Sequence, residues 1–196
     1  MISSFIRGTR NPQTRTELKL RMLSKMIQRK RLKMTKVFRC TWTEYSDATC
    51  MAASDQKFLG ANGITIDQGG HMLFVSDPGD KMITIMERNK GTGMLNKVSE
   101  IILPFGADNI EYDDETNDII LATIHDLRAV DEKFKGADVR VAGGMAIAHN
   151  KDDWEVHNIL NHDGSKLNQI SAASRFGDKI VLGSPYSEGI LVCKVK

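Results

Sequence analysis

One short pattern occurs twice in the chain, and it constrains the fold more than any other feature. In residues 60–67, Asn62 follows a small residue at the start of a stretch of alternating apolar residues, and in residues 106–113 Asn109 takes a similar place. The two asparagines are 47 residues apart, within the period of about 40–50 residues between successive blades of a β-propeller. The pattern therefore predicts repeated blades whose polar strand starts converge on a central channel.

The chain after about residue 37 alternates between apolar and polar residues and is broken by turn sequences. Asp-Pro-Gly-Asp at residues 77–80 and Asn-Lys-Gly-Thr-Gly at residues 89–93 are typical of tight hairpin connections. We expect an all-β fold of short antiparallel strands and no substantial helix in this part. The expected strands cover residues 39–45, 48–58, 63–67, 72–76, 82–86, 98–103, 109–112, 119–124, 139–142, 145–148, 154–159, 170–175, 179–183 and 189–194.

The charge distribution divides the chain into a basic arm and an acidic body. Residues 1–40 contain 12 Lys and Arg against the single acid Glu17, whereas the remainder contains 15 Lys and Arg against 24 acids. Thr14-Arg15-Thr16-Glu17 is typical of a helix capping box. Apolar residues then recur at helical spacing through about residue 36, namely Leu18, Met22, Met26 and Ile27. We expect a basic, helical extension over residues 1–38 and a β domain over residues 39–196.

The arm has several open interpretations. A solvated helix that packs one apolar stripe on a neighbour explains it, and so does a membrane-surface contact or self-association. No aromatic residue interleaves the charges, which argues against nucleic acid as a partner. Its Arg-rich, acid-poor start is also similar in composition to a mitochondrial transit peptide. Arg7 interrupts the apolar stretch that a secretory signal would need. No apolar run approaches the roughly 18–20 residues of a membrane span.

Several familiar sites are excluded by spacing. Cys40, Cys50 and Cys193 form no C-x-x-C pair and predict neither a zinc site nor a disulfide framework. The acidic run at residues 113–118 fails as an EF-hand loop, because its sixth position lacks Gly and its twelfth lacks Glu. Serine-hydrolase elbows, H-E-x-x-H and P-loop patterns are absent.

The best remaining constellation is Asn62, Asp108 and Asn109. Amide and carboxylate oxygens are hard ligands of the kind that Ca²⁺ takes, and the expected blades would aim them at one axis. The alternative is that these residues only cap turns, as Asn and Asp commonly do. His125 follows the expected strand at residues 119–124 and is a candidate catalytic residue.

Residues from about 42 to 196 resemble the C-terminal part of the serum paraoxonase/arylesterase family. The segments that carry the resemblance keep the family's order and spacing. They are Ala-Asn-Gly-Ile-Thr at 61–65, Leu-Phe-Val-Ser-Asp at 73–77, Lys-Met-Ile-Thr-Ile-Met-Glu at 81–87, Asp-Asn-Ile at 108–110, Gly-Asp-Lys-Ile-Val-Leu-Gly at 177–183 and Leu-Val-Cys at 191–193.

The resemblance implies a six-bladed β-propeller that holds calcium in its central tunnel and hydrolyses small-molecule aryl esters and lactones. The family's ligands of the catalytic calcium fall on Asn62, Asp108 and Asn109, and His125 resembles a histidine near the family's active site. The implied chemistry is that Ca²⁺ polarises the carbonyl while a nearby base activates water. Family members are secreted or membrane-associated.

The chain also departs from the family. The N-terminal blades, which in the family supply a further Glu and Asn to the calcium and a histidine pair, have no counterpart in the arm. Cys193 resembles a family cysteine that is joined to the first blade, and its partner is missing. At about 45 residues per blade, the 155 matching residues amount to about three blades. We therefore expect the C-terminal half of a six-bladed propeller with an incomplete calcium site.

Two functions stay open at this point. One is a calcium-dependent arylesterase or lactonase represented by a truncated chain. The other is a non-catalytic propeller fragment that serves as an interaction or assembly module, with two copies rebuilding a closed ring as a weaker variant.

Overall fold

A computed structural model of the chain describes residues 32–44, 47–150 and 153–194. The predicted basic helix falls mainly on residues 1–31, outside the described residues. Residues 32–37 are not helical, and Thr35 pairs with Phe58 in an isolated antiparallel bridge. The expected continuation of the helix to about residue 36 is therefore wrong, because this stretch already takes part in the β structure.

The described residues form strands joined by short turns, with one short helix. In chain order the elements are β1 (Phe38–Thr41), β2 (Thr49–Ala52), β3 (Ile64–Ile66), β4 (Met72–Asp77), β5 (Met82–Arg88), β6 (Leu95–Ile102), β7 (Gly106–Asp113), β8 (Asp118–Ile124), α1 (Leu127–Phe134), β9 (Gly143–His149), β10 (Glu155–His162), β11 (Ala172–Phe176), β12 (Lys179–Gly183) and β13 (Leu191–Lys194).

These strands make four antiparallel sheets that follow one another along the chain. The hairpin β1-β2 is followed by the four-stranded sheet β3-β4-β5-β6, the four-stranded sheet β7-β8-β9-β10 and the three-stranded sheet β11-β12-β13. The spatial order within each sheet equals the chain order, as a meander of hairpins requires. The expected all-β class is confirmed, and the succession of antiparallel sheets is propeller-like.

The core consists of layers between successive sheets, and β8 shows how the sequence produces them. Ile119 and Leu121 of this strand pack in the layer against β3–β6, whereas Ile120 and Ala122 pack in the layer against β11–β13. Alternate residues of a strand point to opposite faces, so a strand that is apolar at every position is covered on both sides. The β7–β10 sheet is therefore held between its two neighbours.

Helix α1 lies where no helix was expected. The side chain of its N-cap residue, Asp126, accepts hydrogen bonds from the backbone N–H groups of Arg128 and Ala129, which satisfies two of the free donors of the first turn. None of the helix residues is buried. Its apolar residues Leu127, Val130 and Phe134 do recur at helical spacing, but the helix has only 8 residues, fewer than the stretch over which such spacing predicts a helix. Within the described part of the chain, no helix has the length and apolar character of a bilayer span.

Gly143 and Gly144 lie inside the single strand β9, where separate strands at residues 139–142 and 145–148 were expected. A Cβ atom on Gly144 would lie 1.8 Å from the Leu160 carbonyl oxygen, and one on Gly143 would lie 2.3 Å from that of Thr123. Glycine is required here by the close approach of the neighbouring strands. The expected strand at residues 139–142 is therefore wrong, and the expected strand at residues 145–148 is part of β9.

Cys40 and Cys50 form a disulfide, which the sequence analysis did not anticipate. The two residues are directly opposite in the β1-β2 hairpin, and their sulfur atoms are 2.01 Å apart. Opposite residues of antiparallel strands are close enough for such a bond, and hairpin register is not visible in cysteine spacing. Cys193 is a free, half-buried thiol.

We predict that Gly63→Ala destabilises the fold. A Cβ atom there would lie 2.6 Å from the Asp108 carbonyl oxygen and 2.8 Å from the Ile110 nitrogen, and overpacking of this kind typically costs about 1–3 kcal/mol. Gly60→Ala is the matched control, since its Cβ would meet nothing within 4 Å. Urea unfolding measures both variants, and equal losses of stability would contradict this role of Gly63.

Candidate metal centre

Asn62 and Asp108 meet at the junction of the β3–β6 and β7–β10 sheets, where their side chains are hydrogen-bonded to each other. The fully buried Ser76 hydroxyl fixes this junction. Its oxygen accepts a hydrogen bond from the Gly63 N–H at 2.7 Å, and the hydroxyl donates to the Asp108 carbonyl oxygen at 2.6 Å. The absence of a side chain on Gly63 lets the two backbones approach. Two positions that are distant in sequence are thereby held side by side.

The loop that leads to Asn62 is held by a second buried group, the Asp77 carboxylate. This carboxylate accepts hydrogen bonds from the backbone N–H groups of Leu59 at 2.7 Å, Gly60 at 3.2 Å and Asp80 at 3.2 Å. The Asn62 N–H itself donates to the Ser76 carbonyl oxygen at 3.0 Å. Backbone hydrogen bonds therefore hold the loop that carries Asn62 in one position. A fixed backbone of this kind is what a ligand-binding side chain requires.

Asn109 connects the same junction to the next sheet. Its side-chain Nδ2 donates to the Ser171 carbonyl oxygen at 2.7 Å, and its backbone N–H donates to the same oxygen at 3.2 Å. Ser171 immediately precedes β11. These bonds use the nitrogen atoms of Asn109, and its Oδ1 takes no part in them. The starts of β3, β7 and β11 are thus linked side by side.

The electrostatics of the centre are dominated by the burial of Asp108. Asp108 is 7 % exposed, and this burial raises the pKa of its carboxyl from 3.8 to about 6. The hydrogen bond from Asn62 opposes part of the rise. Among the described residues, no lysine or arginine pairs with this carboxyl. A buried carboxylate without a cation is costly, so the site favours a proton or a positively charged ligand.

His125 lies at the same end of the β7–β10 sheet. The register pairs Ile124 with Gly106, the first residue of β7, so His125 lies beside the start of β7. The His125 Nε2 is 3.2 Å from the Thr123 hydroxyl, and burial lowers the pKa of the imidazole. In the described part of the structure, none of its hydrogen bonds reaches Asn62, Asp108 or Asn109.

The donors present fit a calcium ion. Asn62 and Asp108 bring a side-chain amide and a carboxylate to one place, and amide and carboxylate oxygens are what Ca²⁺ binds. The uncompensated burial of Asp108 is the observation that supports the fit, because a divalent cation would balance the charge. These residues would fill only part of the six to eight positions that Ca²⁺ occupies.

The sequence analysis missed the residues that support the site. Ser76 was assigned to a strand and Asp77 to the turn after it, and neither was given a role at the site, although two polar residues at the end of an apolar strand and before a Pro-Gly turn were a usable signal. Gln169, two residues before Ser171, is 4 % exposed, and its Oε1 has no hydrogen-bond partner among the described residues. No sequence pattern distinguishes this glutamine.

Among solved structures, the fold is similar to a crystal structure of a protein from Lactobacillus plantarum. The TM-score is 0.55 at 9 % identity, and the alignment covers 79 % of this chain and 43 % of that protein. At this identity the likeness concerns the fold alone. The chain spans less than half the length of that protein. A search of curated proteins gave no significant match.

The family comparison agrees with the resemblance carried by the sequence segments. The sequence profile of the arylesterase family, described as Arylesterase, matches residues 32–195. This match covers nearly all of the β structure, including Asn62, Asp108, Asn109 and His125. The chain therefore belongs to the arylesterase family.

Proposed function

We propose that this chain carries part of the site of a calcium-dependent arylesterase and lactonase. Family membership supports a hydrolase that acts on a small-molecule ester. The observation that carries the proposal is the buried, unpaired Asp108 carboxyl in contact with the Asn62 amide. Such a pair is the kind of oxygen cluster in which a hard cation stabilises a developing negative charge.

In this proposal Asn62 and Asp108 hold the cation, and Asn109 adds its amide oxygen from the adjacent position. Calcium bound there would supply a Lewis acid that polarises the ester or lactone carbonyl. His125 is the proton acceptor, because burial lowers the pKa of its imidazole and so favours the neutral form that can accept a proton. Its Nε2 faces the Thr123 hydroxyl, which orients the ring. The six-bladed ring and the remaining ligands belong to the whole propeller.

The second candidate function is an interaction or assembly module. The outermost sheet, β11–β13, carries large apolar side chains in solvent: Phe176 is 81 % exposed, Ile190 69 % and Val192 53 %. Exposed apolar patches of this kind commonly bind another protein surface. Membrane-surface contact or self-association through the basic arm stays a prediction, since residues 1–31 of that arm lie outside the described residues.

We predict that calcium binds with an affinity that depends on the two contacting side chains. Asn62→Ala and Asp108→Asn should each weaken calcium binding at least tenfold, equivalent to about 1.4 kcal/mol, in isothermal titration calorimetry. Asp114→Asn is the matched control, because it removes an exposed carboxylate from the β7-β8 turn. Unchanged titrations for both site variants would contradict the assignment.

The hydrolase and module functions are separated by an activity assay. We predict hydrolysis of phenyl acetate and of a γ-lactone that is abolished by EDTA and restored by calcium. His125→Gln should lower the turnover number by about 10²-fold or more if the imidazole accepts the proton, while calcium affinity is retained. No activity at millimolar calcium, or activity that survives EDTA, would favour the module.

We predict an unusual pH dependence of stability in the absence of calcium. The pKa of Asp108 is about 6 in the folded state against 3.8 for the ordinary group, so the folded protein binds more protons between these values. The free energy of unfolding therefore falls as pH rises from about 4 to about 6. At 1.36 kcal/mol per pKa unit the loss is on the order of 1–3 kcal/mol.

Urea unfolding in EDTA between pH 4 and pH 7 measures this effect, with Asp108→Asn as the comparison. The variant should lack the fall, because an amide does not titrate. Saturating calcium should reverse the trend in the wild type, since the metal binds the deprotonated carboxylate. The same pH profile for the variant and the wild type in EDTA would contradict the raised pKa.

A further inference from the structure

Four titratable side chains lie together at the far end of the β7–β10 sheet. Asp118 begins β8, His149 ends β9 and Glu155 begins β10, and the register places Glu155 directly opposite His149. His157 is two residues beyond Glu155 and therefore shares its face of the sheet. Three adjacent strands thus contribute two imidazoles and two carboxylates to one surface cluster.

The distances within the cluster are short. The His149 Nδ1 is 3.0 Å from the Asp118 Oδ2, and the Asp118 Oδ1 accepts a hydrogen bond from the Asn150 N–H at 3.2 Å. The rings of His149 and His157 have centroids 5.3 Å apart at an interplanar angle of 61°. The His157 Nε2 is 3.4 Å from the Glu155 Oε2. Asp118 is buried, whereas the side chains of His157 and Glu155 are about half exposed.

Two of these distances match the separations expected between pairs of ligands on one zinc ion. Zinc binds imidazole nitrogen at about 2.0–2.1 Å with tetrahedral geometry, so two imidazoles on one zinc ion have ring centroids about 5 Å apart. Nitrogen and oxygen atoms on the same tetrahedron are about 3.3 Å apart by the same geometry. The His157–Glu155 separation of 3.4 Å is long for a hydrogen bond but suits two ligands of one ion.

The Asp118 contact completes the pattern. A histidine that binds a metal through one nitrogen usually donates its other N–H to a carboxylate, and Asp118 occupies that position at the His149 Nδ1. The His149 Nε2 is then the nitrogen that faces a metal. Asp118 is itself fixed by the Asn150 N–H, so the support is rigid.

We propose that His149, His157 and Glu155 bind a zinc ion, with Asp118 orienting His149 and water in the fourth position. Without the ion, no three His, Cys, Asp or Glu side chains in the described part of the chain stand at ligand geometry. Small rotations of the exposed His157 and Glu155 side chains would bring the His157 Nε2 and the Glu155 Oε2 to coordination distance from the ion. Imidazole and carboxylate together favour zinc over calcium.

This site is separate from the calcium centre. Asp113 at the end of β7 pairs with Asp118, and Asp108 lies five residues earlier on β7. At about 3.4 Å per residue the two sites are roughly 17 Å apart along the sheet. The zinc ion would link the end of β9 to the start of β10 and stabilise this part of the sheet. It would take no part in ester hydrolysis.

Calorimetric titration of the full chain with zinc chloride tests the proposal. We expect one zinc ion per chain, and a dissociation constant that rises at least tenfold in His157→Gln and in His149→Gln. Asp118→Asn should raise it by about 10–100-fold, the usual effect of losing a partner of a ligating histidine. Calcium affinity should be unchanged in His157→Gln.

Two controls exclude other zinc sites. His71→Gln removes an exposed histidine of another sheet, and Cys193→Ser removes the free thiol; both should bind zinc as the wild type does. Because the His157 side chain is 52 % exposed, His157→Gln is expected to fold, and circular dichroism checks this. Absence of saturable zinc binding, or binding that is unchanged in the folded His157→Gln variant, would overturn the proposal.

Discussion

The candidate calcium centre depends on one buried interaction, the bridge that the Ser76 hydroxyl makes between two sheets. It accepts from the Gly63 N–H and donates to the Asp108 carbonyl oxygen. Both groups are buried backbone atoms whose hydrogen bonds have to be satisfied. Glycine at position 63 makes the approach possible, because a Cβ atom would collide with the β7 backbone. The same bridge that closes the core therefore brings Asn62 beside Asp108.

The burial of Asp108 lowers the stability of the metal-free fold and at the same time favours the binding of a cation. Burial holds the pKa of Asp108 near 6, which means that the folded chain carries an unfavourable carboxylate at neutral pH. Core packing between the β3–β6 and β7–β10 sheets compensates locally, through Phe74, Ile83 and Ile119 among others. Buried ionisable groups with shifted pKa values are common at functional sites. A cation at the site would convert the same burial into tight binding.

The sequence predicted those features that depend on local pattern. Alternation located most of the strands, and β8, which is buried at every position, lies between two core layers, which Ile119 and Ile120 face from its opposite sides. Asn62, Asp108 and Asn109 were grouped in advance because Asn62 and Asn109 lie at strand starts one repeat apart, and the structure brings Asn62 and Asp108 into contact. The family resemblance placed both residues in a single site.

Features that depend on tertiary contacts were missed. Helix α1 has only 8 residues and buries none of them, so its apolar spacing is too short to predict a helix, and the Cys40–Cys50 bond follows from hairpin register. Gly143 and Gly144 were left outside the expected strands because the close approach of the Leu160 backbone is not visible in the sequence of one strand. Ser76 shows the same limit, since its two partners come from different sheets.

The most direct test of the account is the pKa of the Asp108 carboxyl, measured by carbon-13 NMR with and without calcium. Without metal the account predicts a pKa of about 6, and saturating calcium should lower this pKa well below its ordinary value, because the ion binds the ionised form. An ordinary pKa in the metal-free protein, or a pKa that calcium does not change, would contradict the central claim that this junction is a cation site.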